Sequence, residues 1–371
     1  MKCKHFGTCG SCSVYELSYK EELEVKNKRV LELLSPFDVK ELELFSASDS
    51  HYRARAEFKI WHEGDEAFYA MSRLNEKGAF TLEECPKVIK PIESRMQPLL
   101  NKINSSKVLK ERLFAVEFLA TTTNECLITM IYHRKLDSNW EVEAKELESL
   151  LFARVIGRSR KQKVVLSDEF VTEKLLIDGQ EYLFRHYESS FTQPNPSVNI
   201  QMIEWAIKQT KRVQGRDFLE SYCGLGNFTI PLSKYFNRVL ATEISKRSIH
   251  AAKENSILNM VRNIEFVRLS SEEMTQALNK EREFRRLKDV DLDSYNFSTV
   301  LVDPPRAGLD SDTIGLISNI QNIIYISCNP ETLARDLVEL SKTHNIKESA
   351  IFDQFPHTHH IESGVFLTKK N

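Results

Sequence analysis

Hydrophobic and polar positions follow one rhythm up to about residue 190 and another beyond it. Residues 16–34 place apolar side chains at helical spacing with charges between them, which predicts an exposed amphipathic helix that Pro36 ends. Residues 51–61, HYRARAEFKIW, alternate. Tyr52, Ala54, Ala56, Phe58 and Ile60 share one face, and Arg53, Arg55, Glu57, Lys59 and Trp61 the other, as in a half-buried strand. Further strands are predicted at 113–120, 126–133 and 153–157, and helices at 91–104 and 139–151. The run 157–163 (GRSRKQK) sets four positive charges in a predicted loop, where phosphate contacts are often made. From about residue 197, helices alternate with short apolar strands, the pattern of a doubly wound α/β sheet. This predicts an N-terminal arm and helix over 1–36, an α+β region over 37–190 and an α/β unit over 191–371.

Charge excludes little. Fifty-one Lys+Arg against 53 Asp+Glu rules out a histone-like polycation or an acidic tail. No apolar run approaches the ~20 residues of a membrane span, and the first residues lack the apolar stretch of a signal peptide. A soluble cytoplasmic protein is therefore expected, and nothing in the sequence demands a partner chain.

Cysteine is more informative. Seven without an export signal argue against a disulfide framework. Cys3, Cys9 and Cys12 crowd the N-terminus, and Cys85, beside Pro86, is the best fourth ligand. Four thiolates suit a [4Fe–4S] cluster, and zinc less well; reduced surface thiols are the plainer alternative.

The chemistry concentrates in the C-terminal half. Residues 217–233 read as strand, glycine turn and helix, with Gly224 and Gly226 admitting a close ligand. Thr229 stands where a dinucleotide fingerprint wants its third glycine, which disfavours NAD or FAD. Glu243 ends the next strand, 17 residues past Gly226, where it can accept from ribose hydroxyls or merely cap a helix. A glycine loop with an acidic strand end fits S-adenosylmethionine as well as a dinucleotide. Asp303-Pro304-Pro305-Arg306 halts one apolar strand at its carboxyl edge, and Cys328-Asn329-Pro330 halts another. A thiol between a strand end and a helix start is expected to be stabilised as thiolate. His357, His359 and His360 lack metal-ligand spacing, and Glu362 follows them at a strand start. A sulfonium cofactor, a thiol and a carboxylate in one cleft suit methylation of a poorly nucleophilic carbon such as uracil C5. Cys328 would add to C6, and Glu362 would remove the C5 proton of an unstacked base.

These segments resemble the bacterial RNA (uracil-5-)-methyltransferases, above all the tRNA-modifying members. The resemblance runs from about residue 14 to the C-terminus through HYRARAEFKIWHEGD, SFTQPNPSVNIQMIEWA, ESYCGLGNFTIPLS, RVLATEISK, LVDPPRAGLD, YISCNPETL and FDQFPHTHHIESGVFL. It implies a Rossmann-like S-adenosylmethionine-dependent methyltransferase domain preceded by an α+β RNA-recognition domain. It further implies Cys328 as nucleophile, Glu362 as proton acceptor, and cofactor contacts from Gln193, Tyr222, Asn227, Glu243 and Asp303. The substrate implied is the T-loop of tRNA, with ribothymidine formed at position 54. The cysteine pattern instead resembles the 23S rRNA-modifying relatives that hold an iron–sulfur cluster, which keeps rRNA as an alternative substrate. An RNA-binding or RNA-folding protein with incidental methylation is the alternative outside enzymology.

Overall fold

The computed structural model describes residues 1–213 and 216–370. Helix α1 (Tyr19–Leu34) starts at a capping box in which Ser18 and Glu21 each hold the other's backbone N–H. It is followed by strands β1 (Glu43–Phe45), β2 (Arg55–Glu63), β3 (Glu66–Ser72) and β4 (Ala79–Thr81). Next come α2 (Lys90–Ser105), α3 (Lys107–Lys110), β5 (Leu113–Ala120), β6 (Cys126–Tyr132) and α4 (Ser138–Leu151). The hairpins β7 (Arg154–Ser159)–β8 (Gln162–Val165) and β9 (Phe170–Ile177)–β10 (Gln180–Tyr187) complete this half.

In the second half, α5 (Pro196–Thr210), β11 (Asp217–Ser221), α6 (Thr229–Leu232), β12 (Arg238–Thr242), α7 (Lys246–Leu258) and β13 (Ile264–Val267) follow one another. They lead into α8 (Ser271–Leu278), β14 (Phe297–Val302), α9 (Ser311–Ile317), β15 (Asn322–Ser327), α10 (Pro330–Thr343), β16 (His344–Phe352) and β17 (Glu362–Lys369).

Two large sheets result. The first is ordered β4-β3-β2-β5-β6-β7-β8 and is antiparallel except where α4 carries the chain from β6 to the parallel β7. Its inner face and helices α2 and α4 enclose one core around Phe58, Phe118, Tyr132 and Trp140. The alternation read in β2 is realised: Phe58 and Ile60 are buried while Lys59 and Trp61 face solvent. Where four basic residues predicted a loop, the chain instead forms the β7–β8 hairpin. Gly157 is the reason its strand fits: a Cβ there would stand 2.4 Å from Leu136 and Trp140.

The second sheet is ordered β1-β16-β17-β15-β14-β11-β12-β13. Strands β15, β14, β11, β12 and β13 are parallel, β17 runs antiparallel between β15 and β16, and β1 joins β16 in parallel. The wholly buried runs of β11 and β15 reflect helices on both faces. Residues 43–45 thus extend the C-terminal sheet. Helix α1 also packs there, and it is not simply exposed. Val30 and Leu34 enter the core beside Val300 and Tyr325, and Glu22 and Lys26 are buried in the same stripe.

Because Gly157 touches Trp140 and Leu136 with no room for a methyl group, Gly157→Ala should destabilise the protein by about 1–3 kcal/mol. Urea unfolding measures this; an unchanged midpoint would contradict the packing argument.

Candidate active site

Strand register brings the chemistry to one edge. Ser221 pairs with both Thr242 and Val302, so Tyr222, Glu243 and Asp303 emerge side by side, each one residue past its strand. Val302 pairs with Tyr325, which ends β15 at Ser327 and puts Cys328 on the same edge. Ser327 pairs with Ser363 in the antiparallel β17, so Glu362 returns to face Cys328. Asn329 fixes the loop that carries Cys328. Its Oδ1 accepts the Glu331 N–H at 3.2 Å, capping α10, and its Nδ2 donates to Arg306 O at 3.0 Å. Asp336 secures the Asp303–Leu309 loop, accepting from Leu309 N–H at 2.9 Å and Tyr325 O–H at 2.6 Å.

One cavity opens beside this edge, lined by Gln193, Asn199, Tyr222, Gly224, Asn227 and Asp303 among others. Gly224 and Gly226 have positive φ of 54° and 87°, and Tyr222 (66°) is held in the same region despite its bulk, a strained conformation typical of ligand loops. Glu243 accepts from Gly224 N–H at 3.3 Å and Ser245 N–H at 2.7 Å, so it both braces the glycine loop and serves the start of α7. Asn227 and Asn199 exchange amide hydrogen bonds at 2.8 and 2.9 Å. Gln193 Oε1 is buried without a hydrogen-bond partner among the described residues, as is Oε2 of Glu220 behind the edge. Orphaned buried acceptors beside a carboxyl-lined pocket fit a polar, cationic ligand such as S-adenosylmethionine.

Three residues at or behind the cavity were not singled out in the sequence. Glu220 stands out only as the acid inside the apolar strand β11, Asn199 gives no signal, and His186 reaches the cavity from the β9–β10 hairpin. Burial drives His186 down to about 4 and keeps it neutral.

Electrostatics reverses one expectation. Cys328 is not a ready thiolate: its pKa is pushed up to about 11 by desolvation, then by the charges of Glu362 and Asp303, with Arg306 opposing. The helix start cannot outweigh two carboxylates and partial burial. Burial also raises Asp303 well above the carboxylate range, with Glu362 adding to it, and raises Glu220 to about 8. His360 Nε2 lies 3.5 Å from Glu362 Oε1, and its ring meets the Phe355 edge at 4.5 Å between centroids.

A second concavity adjoins the first, lined by Arg53, Arg55, Phe191, Thr192, Pro194 and Phe355. Phe191 is 72% exposed, and the Arg53 guanidinium lies 5.7 Å from the Phe355 ring centroid. Arg55 faces inward instead, paired with Glu117 and donating to Ser190 O at 2.6 Å. Arg158 and Lys163 are likewise taken up by Glu188. Arg160 and Lys161, at the β7–β8 turn, make no ion pair among the described residues.

The N-terminal cysteines are free thiols. Burial, and to a lesser degree Cys12, raises the thiols of Cys3, Cys9 and Cys85, so the four share one neighbourhood. Lys87 enters it, donating to Ser11 O at 2.6 Å and Ser11 Oγ at 2.9 Å. Among the described residues, however, no three His, Cys, Asp or Glu side chains converge to hold a metal. The expected ligand set is therefore a grouping of thiols and not a formed cage. No helix among the described residues is long and apolar enough to cross a membrane.

Two pH-dependent outcomes follow from these shifts. Glu362→Gln removes the carboxylate that opposes ionisation of Cys328, so iodoacetamide should alkylate Cys328 faster in this variant at about pH 8. Peptide mass mapping reads the rate, and an equal or slower rate would contradict the coupling. Glu220 keeps its proton on folding up to about pH 8, whereas the unfolded chain loses it near the ordinary 4.5. That contribution is complete below the lower value and is lost as pH rises through the upper one. Glu220→Gln, which cannot ionise, should therefore gain melting temperature over the parent as pH rises from about 5 to about 9. A constant difference would contradict the shift.

Comparison with known proteins agrees with this geometry. A family model described as tRNA (Uracil-5-)-methyltransferase matches residues 18–370. A tRNA/tmRNA (uracil-C(5))-methyltransferase of a Sulfurovum species is 70% identical over 371 residues, covering all of both chains. One of a Nitratiruptor species is 55% identical over 369 residues, again covering all of both. Among solved structures, the Pyrococcus abyssi tRNA (uracil-54, C5)-methyltransferase in complex with S-adenosyl-L-homocysteine superposes with a TM-score of 0.73 at 25% identity, covering 96% of this chain and 86% of that one. With its Rossmann-like α/β sheet and a match spanning nearly its whole length, the chain belongs to the tRNA (uracil-5-)-methyltransferase family.

Proposed function

We propose that this protein transfers the methyl group of S-adenosylmethionine to uracil C5 in the T-loop of tRNA, at position 54, with Cys328 as nucleophile and Glu362 as proton acceptor. The observation that carries the reading is the register of β15 and β17, which sets a thiol against a carboxylate beside a pocket for a cationic ligand.

The cofactor supplies an electrophilic methyl group and a positive charge. Its contacts would come from Gln193, Tyr222, Asn227, Glu243 and Asp303; four of these line the pocket, and Glu243 braces its glycine loop through Gly224. Cys328 gives up its proton to solvent and its sulfur bonds to C6, moving the C5–C6 π electrons toward the O4 enolate. C5 then takes the methyl group as its bond to sulfur breaks. Glu362 removes the remaining C5 proton, and the electrons left behind re-form the C5–C6 double bond and expel the Cys328 thiolate. His360 is within reach of the Glu362 carboxyl to pass that proton outward.

The substrate must present an extruded base. The concavity at Arg53, Phe191 and Phe355 offers a cation and exposed aromatic surface where it would enter. On the first sheet's outer side, Phe114 is 41% exposed and stacks on His133 at 4.4 Å, and Trp61 is 53% exposed. Residues 37–190 are accordingly assigned to RNA recognition, with the arm and helix of 1–36 before them and methyl transfer in 191–371; the separate core around Phe58 and Trp140 supports this for residues 54–155, whereas the β9–β10 hairpin packs Leu175, Ile177, Tyr182 and Phe184 into the C-terminal core. The names of the relatives favour tRNA over 23S rRNA, and a tRNA substrate assigns the protein to the cytoplasm.

The placement of Cys3, Cys9, Cys12 and Cys85 in one neighbourhood leaves a finer reading, in which they bind a [4Fe–4S] cluster. Anaerobically purified protein would then absorb broadly in the visible blue; colourless, iron-free protein would set that reading aside.

Mass mapping of tRNA and 23S transcripts treated with the enzyme and labelled S-adenosylmethionine tests reaction and substrate together. One methyl group on the T-loop uridine is expected, with none after Cys328→Ala. Glu362→Gln should accumulate a protein–RNA adduct on denaturing gels. Label on rRNA alone, or an adduct no more abundant than in the parent, would overturn the substrate or the base assignment respectively.

A further inference from the structure

We propose that α1 acts as a strut that holds the proton acceptor against the nucleophile, with Lys26 and Arg29 as positioning residues. The inference rests on the roles proposed above for Cys328 and Glu362. Residues 353–361 form the whole connection from β16 to β17 and deliver Glu362 to the site. Glu331 lies three residues past Cys328 in the first turn of α10. One helix grips both segments.

Lys26 is buried (3% exposed) and donates to Asp353 Oδ1 at 2.8 Å and to Phe355 O at 3.3 Å. Its Nζ also lies 2.6 Å from Glu22 Oε1, as an ion pair without hydrogen-bond alignment. Tyr19 O–H donates to Asp353 Oδ2 at 2.8 Å, and Glu22 Oε2 accepts the His357 N–H at 3.0 Å. One turn further on, Arg29 donates from Nη1 to His359 O at 3.0 Å and from Nε to Glu331 Oε1 at 3.1 Å.

Anchoring α1 does not require these charges. Val30 and Leu34 already embed its second half in the core, and apolar side chains at 22 and 26 would bury surface without the cost of desolvating ions. Charged donors aimed at Phe355 O and His359 O do what apolar packing cannot: they fix the backbone of the connection at named atoms. The carboxylate of Asp353, at the start of that connection, makes the lysine contact obligatory. Small displacements of a reacting pair are costly, on the order of 100-fold in rate for about 1 Å.

The test uses the full-length enzyme with Arg29→Gln, with Arg29→Lys, and with the neutral pair Lys26→Gln/Asp353→Asn. Glu362→Gln serves as reference. Melting temperature, S-adenosylhomocysteine binding, kcat and KM for a tRNA transcript, and adduct on denaturing gels are measured together. Arg29→Gln and the neutral pair should lower kcat on the order of 10- to 100-fold. KM and S-adenosylhomocysteine binding should stay at parental values while adduct accumulates above the parent, and Arg29→Lys should recover part of kcat. If Glu362→Gln itself traps no adduct, the assignment of Glu362 fails and the strut with it. If Glu362→Gln traps adduct while folded Arg29→Gln keeps parental kcat and adduct, the strut alone is overturned. A loss that falls on KM or on S-adenosylhomocysteine binding overturns positioning in favour of a general structural role. Should the buried pair fail to fold, Arg29→Gln decides, since its side chain is 42% exposed.

Discussion

The site depends on one strand running the wrong way. In a sheet of parallel strands every carboxyl end reaches the same edge, and every amino end the opposite one. That rule delivers Tyr222, Glu243, Asp303 and Cys328, all of which follow their strands. It cannot deliver a residue that begins a strand. Because β17 inserts antiparallel between β15 and β16, its first residue, Glu362, starts at the ligand edge. The insertion also bears on Gly364: a Cβ there would come within 3.0–3.2 Å of the Phe352, Trp205 and Ile326 side chains, so a larger residue in β17 would force these neighbours to shift.

The cost of this arrangement falls on the connection that precedes β17. A loop reaching the sheet edge from β16 has no strand partner, and it is held from several directions at once. Tyr52 O–H donates to Pro356 O at 2.9 Å from the segment leading into β2, and Asn195 N–H donates to Gln354 Oε1 at 3.0 Å from the start of α5. Val14 N–H donates to His357 O at 3.1 Å from the N-terminal arm. Parts of the chain hundreds of residues apart therefore meet on one short segment. The segment's polar character, FDQFPHTHH, is what allows it to be held by hydrogen bonds where an apolar loop would simply pack.

How much of this was legible beforehand depended on the range of the interaction. Local period predicted β2, β5, β6, α2 and α4 closely, because each is decided by residues within one element. The strand-ending motifs at Asp303 and Cys328 were legible for the same reason. What failed required a distant partner. The basic run 157–163 looked free, but Arg158 and Lys163 find Glu188 in another hairpin. The stripe of α1 looked solvated, but Lys26 finds Asp353 more than 300 residues away. The charge state of Cys328 was misjudged because the helix start lies next to it in sequence, while the opposing carboxylates arrive from β14 and β17.

That misjudgement has a chemical consequence. With its pKa pushed up to about 11 by burial and then by the neighbouring carboxyls, the Cys328 thiol keeps its proton at neutral pH, and a protonated thiol is a weak nucleophile. The groups holding it up are carboxyls, and a carboxyl's influence is cancelled by a positive charge placed beside it. Asp303 lines the pocket and bears on Cys328, so a cationic ligand there would relieve the repulsion that suppresses the thiolate. Under the proposed roles Glu362 has to accept a proton later, and a site that activated Cys328 permanently with a fixed cation would also weaken Glu362 as a base. Leaving the balancing charge to the ligand would meet both demands: a bound cation would favour ionisation of the thiol, and its loss would restore the basicity of the carboxylate.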